Sequence, residues 1–137
     1  AKPAHISVDN AGLDLTQLTP ERLKAALAAT PIKWKVIVVS ACYSGGFIPA
    51  LRDDHTLVIT ASSAERNSFG CSDHNAMTDF GRAYFVEALN ATRSFTAAFD
   101  MARKKIAERE KAEDLTPSQP QMVMGDKFAE RWRGRLF

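Results

Sequence analysis

Residues 36–39, Val36-Ile37-Val38-Val39, set four β-branched side chains in succession with no polar residue between them. A strand open to water on one face would alternate, so this run reads as a strand from Lys35 to Ser40 covered on both faces. Thr56 to Thr60, Thr-Leu-Val-Ile-Thr, has the same character. Two such strands, joined through a short segment at Phe47 to Leu51, predict neighbours in a mostly parallel sheet flanked by helices. At 137 residues the chain has the length of one domain and can bury roughly two-thirds of its unfolded surface around a single core.

The flanking helices have their own signals. In Thr-Pro-Glu-Arg-Leu-Lys-Ala-Ala-Leu, from Thr19, the threonine can cap a helix, Pro20 suits its first position, Glu21 favours the positive end of its dipole, and Leu23, Ala26 and Leu27 make an apolar stripe. Pro31 stops it. Helical patterning returns over Phe80 to Leu89. It returns again from Thr92 or Ser94 to Ala112, with Phe95, Ala98, Phe99, Ala102 and Ile106 on one face. Gln-Met-Val-Met-Gly at 121–125 reads as a short closing strand, and Asp126 to Phe137 as a basic amphipathic terminal helix. Between Ala61 and Asp79 lies a long stretch rich in Ser, Asn, Asp and Gly. Loops of that length in compact domains are usually functional.

Composition removes several classes. Hydrophobic residues at 45% and charged residues at 25% are ordinary globular values, which excludes a disordered chain. The net charge of +2 is spread along the chain, so no footprint for nucleic acid is expected. The apolar runs fall far short of the ~20 residues of a membrane span, and no membrane contact is expected within this chain. Two cysteines, Cys42 and Cys71, do not make a disulfide framework. The first residue is Ala1, with no signal segment after it, which suggests a piece of something longer.

Chemistry concentrates where the first strand ends, in Ser40-Ala41-Cys42-Tyr43-Ser44-Gly45-Gly46. Open α/β sheets carry their sites at the carboxyl ends of strands. A thiol there, followed by the N–H groups of a glycine-containing turn, has donors that favour a thiolate and hold a developing oxyanion. A small buried cysteine at a strand end is the plain structural alternative.

Val36 to Phe47, followed by Leu57 to Phe85, resembles the legumain family of cysteine peptidases, in particular its bacterial members, within the caspase-like clan. The similarity spans about residues 1 to 125. The resemblance implies a caspase-like α/β sandwich of three layers. It also implies Cys42 as nucleophile, with its backbone N–H in the oxyanion hole, no cofactor, and a peptide or protein substrate. It further implies a base histidine in a His-Gly pair at the end of the preceding strand. No His-Gly occurs in this chain; by the family pattern it falls just before Ala1. Residues 1–137 are therefore expected to be one peptidase domain without its first strands and its His-Gly segment, and inactive alone. An N-terminal segment would complete the sheet.

His5 is the one histidine upstream of Cys42 and is carried as the candidate base within the chain, although a neighbour of the site is the expected role. His55, beside Asp53 and Asp54, reads as a turn residue. His74 lies in the long loop, where the family has no catalytic histidine. Cys71, Asp73 and His74 match no standard zinc spacing, so no metal is expected. By the resemblance, Ser68 lines the pocket for the residue before the scissile bond. Tyr43 and Arg82 stand where the family has acidic residues; an arginine in that pocket would suit an acidic or amide side chain, while Arg82 reads equally as a surface helix residue. The leading reading is a cysteine endopeptidase or transpeptidase working through a thioester on Cys42. The alternative is a non-catalytic caspase-like module that binds peptides or partners.

Overall fold

The computed structural model describes residues 4–6, 17–70 and 75–132. Strand β1 (Lys35–Val39) pairs in parallel with β2 (Thr56–Thr60), Lys35 opposite Thr56 and Val39 opposite Thr60. Strand β3 (Gln121–Met124) adds on the other side of β2, antiparallel, so the order is β1-β2-β3. A parallel pair needs a crossover of a dozen or more residues. Here residues 40–55 supply it, containing a 3₁₀ turn, Ser44–Phe47, and the short helix α2, Ile48–Leu51.

Helix α1 (Pro20–Ala28) begins as the sequence predicts: Thr19 is extended and its Oγ1 accepts the Arg22 N–H at 3.2 Å. Helix α3 is continuous from Asp79 to Ala91, but its middle, Arg82–Ala88, is wound as a π-helix. Helix α4 (Phe95–Ala112) is capped by Ser94, and α5 (Asp126–Trp132) follows β3 directly. The remainder of the basic terminal stretch lies outside the described residues.

Alternation along the central strand divides the core into two. Leu57 and Ile59 face a cluster with Phe80, Ala83, Tyr84, Ala88, Ala98, Phe99, Ala102, Ile106 and Phe128, supplied by α3, α4 and α5. Val58 faces the opposite cluster, with Val39, Phe47, Ile48 and Leu51, against which Leu23 and Leu27 of α1 pack. The result is an α/β sandwich of three layers, consistent with a caspase-like fold. All five residues of β2 are buried. Strand β1 differs from its expectation: only Val39 is buried and the other four residues are partly so. Among the described residues β1 lies at the sheet's edge, with no strand beyond it, so one flank of each residue is uncovered whatever packs on the two faces.

Candidate active site

Strand β1 stops at Val39, whose carbonyl still accepts the Ala61 N–H at 3.0 Å. The chain then turns through Cys42 and Tyr43 into the 3₁₀ turn. Tyr43 has φ 57 and ψ 20, the left-handed region that costs an L-residue roughly 1–2 kcal/mol. Its own groups hold it there: the Tyr43 N–H donates to the Arg66 carbonyl at 2.9 Å, and its carbonyl accepts the Gly46 N–H at 3.0 Å.

Segment 61–68 lies along this turn and closes on it residue by residue. Ser44 and Ser62, both fully buried, bond one another. The backbone of Ser63 and Ala64 presses on Gly45 so closely that a Cβ there would sit 2.5 Å from the Ala64 nitrogen. At the far end, the Cys42 Sγ donates to the Ser68 carbonyl at 3.1 Å and accepts the Ser68 N–H at 3.3 Å. Cys42 is a free thiol and partly buried. A Cβ on Gly46 would meet the Ala4 Cβ at 2.5 Å. The glycine pair after the cysteine is thus explained by two neighbours, the Ser63-Ala64 backbone and Ala4.

The turn's N–H groups are more committed than the sequence suggests. The Ser44 N–H goes to Ser62 Oγ and the Gly46 N–H to Tyr43, because a turn this tight satisfies itself and its neighbour before it can serve a ligand. Among the described residues no acceptor takes the Cys42 N–H.

The other candidates scatter. His5 stands between Ala4 and Ile6, which both pack against the cluster under the turn, and Ile6 pairs with Leu18. His55 immediately precedes Thr56, at the amino end of the sheet. With five residues of β1 at about 3.3 Å each, it lies on the order of 15 Å from the thiol. Its ring and that of Trp34 meet in a T-shaped contact, centroids 4.8 Å apart. Ser68 is buried beside the thiol. Arg82 is exposed on α3, in a groove of about 520 Å³ shared with Asp79, Glu87, Lys105 and Arg109. Two ion pairs lie there, Lys105 with Glu87 at 2.5 Å and Arg109 with Asp79 at 3.0 Å. The Glu87 carboxyl is held below its ordinary range by the Lys105 hydrogen bond and charge. Cys71, Asp73 and His74 lie outside the described residues, and no group of metal-ligating side chains occurs among the rest.

Two acidic residues escape sequence reasoning. Asp79 donates its N–H to the Phe69 carbonyl at 3.1 Å and lines both the Arg82 groove and a cavity of about 10 Å³ beside Ser68, Glu110 and Ser118, room for one water. Its signal was its place directly after the capping Thr78. Glu110 is buried, and both its oxygens accept the Ser118 N–H at 3.1 Å while the Ser118 carbonyl takes the Ser63 N–H at 2.9 Å. A carboxylate four residues after Ile106 on the apolar stripe was the visible sign.

A free thiol thus follows the carboxyl end of a parallel strand, beside a left-handed residue, in a sandwich consistent with a caspase-like fold. Residues 3–131 match the model of the Peptidase C13 family. The chain belongs to that family, the legumain peptidases, and is a cysteine peptidase in kind. No curated protein matches it.

Proposed function

We propose that the chain is the nucleophile-bearing part of a cysteine endopeptidase, able also to transfer its acyl group to an amine. The carrying observation is the free Cys42 thiol, bracketed by the left-handed Tyr43 and the Ser68 backbone at the sheet's carboxyl edge. A histidine takes the thiol proton, and the sulfur attacks the scissile carbonyl carbon. The oxygen becomes an oxyanion beside the Cys42 N–H. Collapse breaks the C–N bond, and the imidazolium gives its proton to the leaving amine. Water then attacks the thioester, freeing the acid and restoring the thiol; an amine attacking instead yields a new peptide bond. In the resting site the Ser68 carbonyl holds the thiol proton, so substrate and base must compete with that contact.

We assign the base to a His-Gly segment outside residues 1–137, after the family pattern, and His5 to the flank of the site. That segment would also cover the outer edge of β1. Tyr43 and Ser68 adjoin the nucleophile and are assigned to substrate contact, and Arg82, in the groove it shares with Asp79, to the same pocket's edge.

The test uses the whole natural protein with a peptide substrate and a peptidyl thiol-reactive probe. Wild type should hydrolyse and be labelled, Cys42→Ala should do neither, and residues 1–137 alone should turn over at least 10²-fold more slowly, for want of the base. Robust turnover by residues 1–137 that His5→Ala abolishes would make His5 the base. Turnover surviving Cys42→Ala would end the proposal. A peptide-library profile dominated by Lys or Arg before the scissile bond would remove Arg82 from recognition.

A further inference from the structure

Ser44 and Ser62 form a reciprocal pair with no solvent access. Ser62 Oγ accepts the Ser44 N–H at 3.2 Å and donates its proton to the Ala41 carbonyl at 3.1 Å. Ser44 Oγ accepts the Ser62 N–H at 3.1 Å. The two hydroxyl oxygens stand 3.3 Å apart, and since the Ser62 proton is committed to Ala41, the Ser44 hydroxyl is the one left to donate between them. The groups held are the carbonyl immediately before Cys42 and the N–H immediately after Tyr43.

We infer that this pair is a positioning device for the nucleophile turn, working through the backbone on either side of Cys42-Tyr43. A left-handed non-glycine residue persists only where its surroundings over-determine it. Three constraints do so here: the Arg66 contact, the Gly46 contact, and the serine pair. The pair alone grips both ends. Fixing the Ala41 carbonyl fixes the Ala41–Cys42 peptide plane, and that plane carries the Cys42 N–H, which no described acceptor uses. Ser62 and Ser44 therefore set where that N–H points when an oxyanion forms. Neither touches substrate. Donors aimed in advance at a developing charge are worth on the order of 10²-fold in rate each, and one loosened rather than deleted forfeits part of that.

This inference rests on Cys42 being the nucleophile, and the experiment separates the two. Ser62→Ala, Ser44→Ala and the double variant are made in the whole protein, with circular dichroism to verify folding. Two reactions are compared: peptide hydrolysis, which passes through an oxyanion, and alkylation of Cys42 by iodoacetamide, which does not. Ser62→Ala should lose about 10- to 100-fold in kcat and Ser44→Ala, which keeps the Ser62 bonds to Ala41 and to the Ser44 N–H, less than that, with KM and the alkylation rate within about threefold of wild type in both. The double variant should fall no further than Ser62→Ala, because that substitution alone already removes the bonds to the Ala41 carbonyl and the Ser44 N–H. Should Ser62→Ala fail to fold, Ser62→Cys, whose thiol is a weaker donor and acceptor at the same place, reads the same two bonds. An unchanged kcat in folded Ser62→Ala or Ser62→Cys, an equal loss in alkylation and hydrolysis, or losses that multiply would overturn the positioning role while leaving Cys42 as nucleophile. A wild type without turnover, or one whose turnover survives Cys42→Ala, overturns both readings.

Discussion

Gly45 and Gly46 are adjacent, yet what stands against each differs in kind. A methyl on Gly45 would run into the Ser63-Ala64 backbone, with the Ala64 nitrogen at 2.5 Å and the Ser63 carbonyl carbon at 2.7 Å. That backbone is tied to Ser118 and, through Ser62, to Ser44, so it cannot withdraw alone. A methyl on Gly46 would meet the Ala4 side chain, which belongs to a short segment joined through Ile6 to Leu18. Gly45→Ala should therefore destabilise by roughly 1–3 kcal/mol, as overpacking does, and Gly46→Ala by less. Urea midpoints of the two variants check the order, and equal midpoints would mean segment 61–68 is looser than its contacts imply. The two tyrosines separate as sharply. Tyr84 is fully buried, its hydroxyl donates to the Phe95 carbonyl at 3.1 Å, and burial pushes its pKa up to about 12. Because the unfolded chain ionises this phenol near pH 10 and the native state does not, stability should fall as pH rises from about 10 toward 12. In Tyr84→Phe that decline should be reduced, as followed by urea unfolding at pH 8 and pH 11.

The turn into β2 shows how an element is started by one side chain. Asp53 Oδ1 accepts the His55 N–H and the Thr56 hydroxyl, each at 2.8 Å. Burial pushes its carboxyl upward, but those two bonds, with the charges of Lys35 and His55, outweigh it and hold the carboxyl below the usual carboxylate range. For a carboxylate depressed in this way the stabilisation is complete above the unfolded value and disappears as pH falls through the folded one. Asp53→Ala should cost about 1–2 kcal/mol at pH 7, and the gap from wild type should narrow at pH 3. A gap that persists at pH 3 would mean the charge contributes nothing. Elements started by such local chemistry were legible in the sequence. Thr19 and Ser94 cap their helices as their positions suggest, and the two apolar runs form β1 and β2 in register. Elements decided by distant contacts were not. The π-helical winding of Arg82–Ala88 has no sequence signature, since it arises where α3 packs on α4. The 3₁₀ turn after Cys42 depends on Ser62, eighteen positions downstream of Ser44. The long Ser- and Gly-rich loop could be read as functional, but not as the strap that closes on the thiol. The thiol's place was visible because strand exit and glycine pair are local; the contacts of Asp79 and Glu110 were hidden because their partners, Phe69 and Ser118, come from other elements.

At the scale of the whole molecule the sheet is a partition. Ile59 packs with α3, α4 and α5 on one side, while Ile48 of α2 packs with Val39, Phe47 and Val58 on the other, and the two clusters share no residue. They are nevertheless one cooperative unit, because β2 contributes Leu57 and Ile59 to the first and Val58 to the second, all three fully buried. Neither layer can come away without exposing a strand of the other. Two consequences separate this arrangement from a pair of stacked subdomains. Ile59→Val and Ile48→Val should each cost about 0.5–1.5 kcal/mol, and, having no common partner, the two should sum in the double variant to within about 0.5 kcal/mol. Unfolding should remain a single transition with an unchanged urea slope in all three variants, whether followed by helix content or by tryptophan emission. A second transition appearing in Ile48→Val alone, with the Ile59 cluster still folded, would show that the layer beneath the Cys42 turn melts by itself. The thiol would then sit on the less stable half of the molecule, and its alkylation rate should follow that first transition rather than the second.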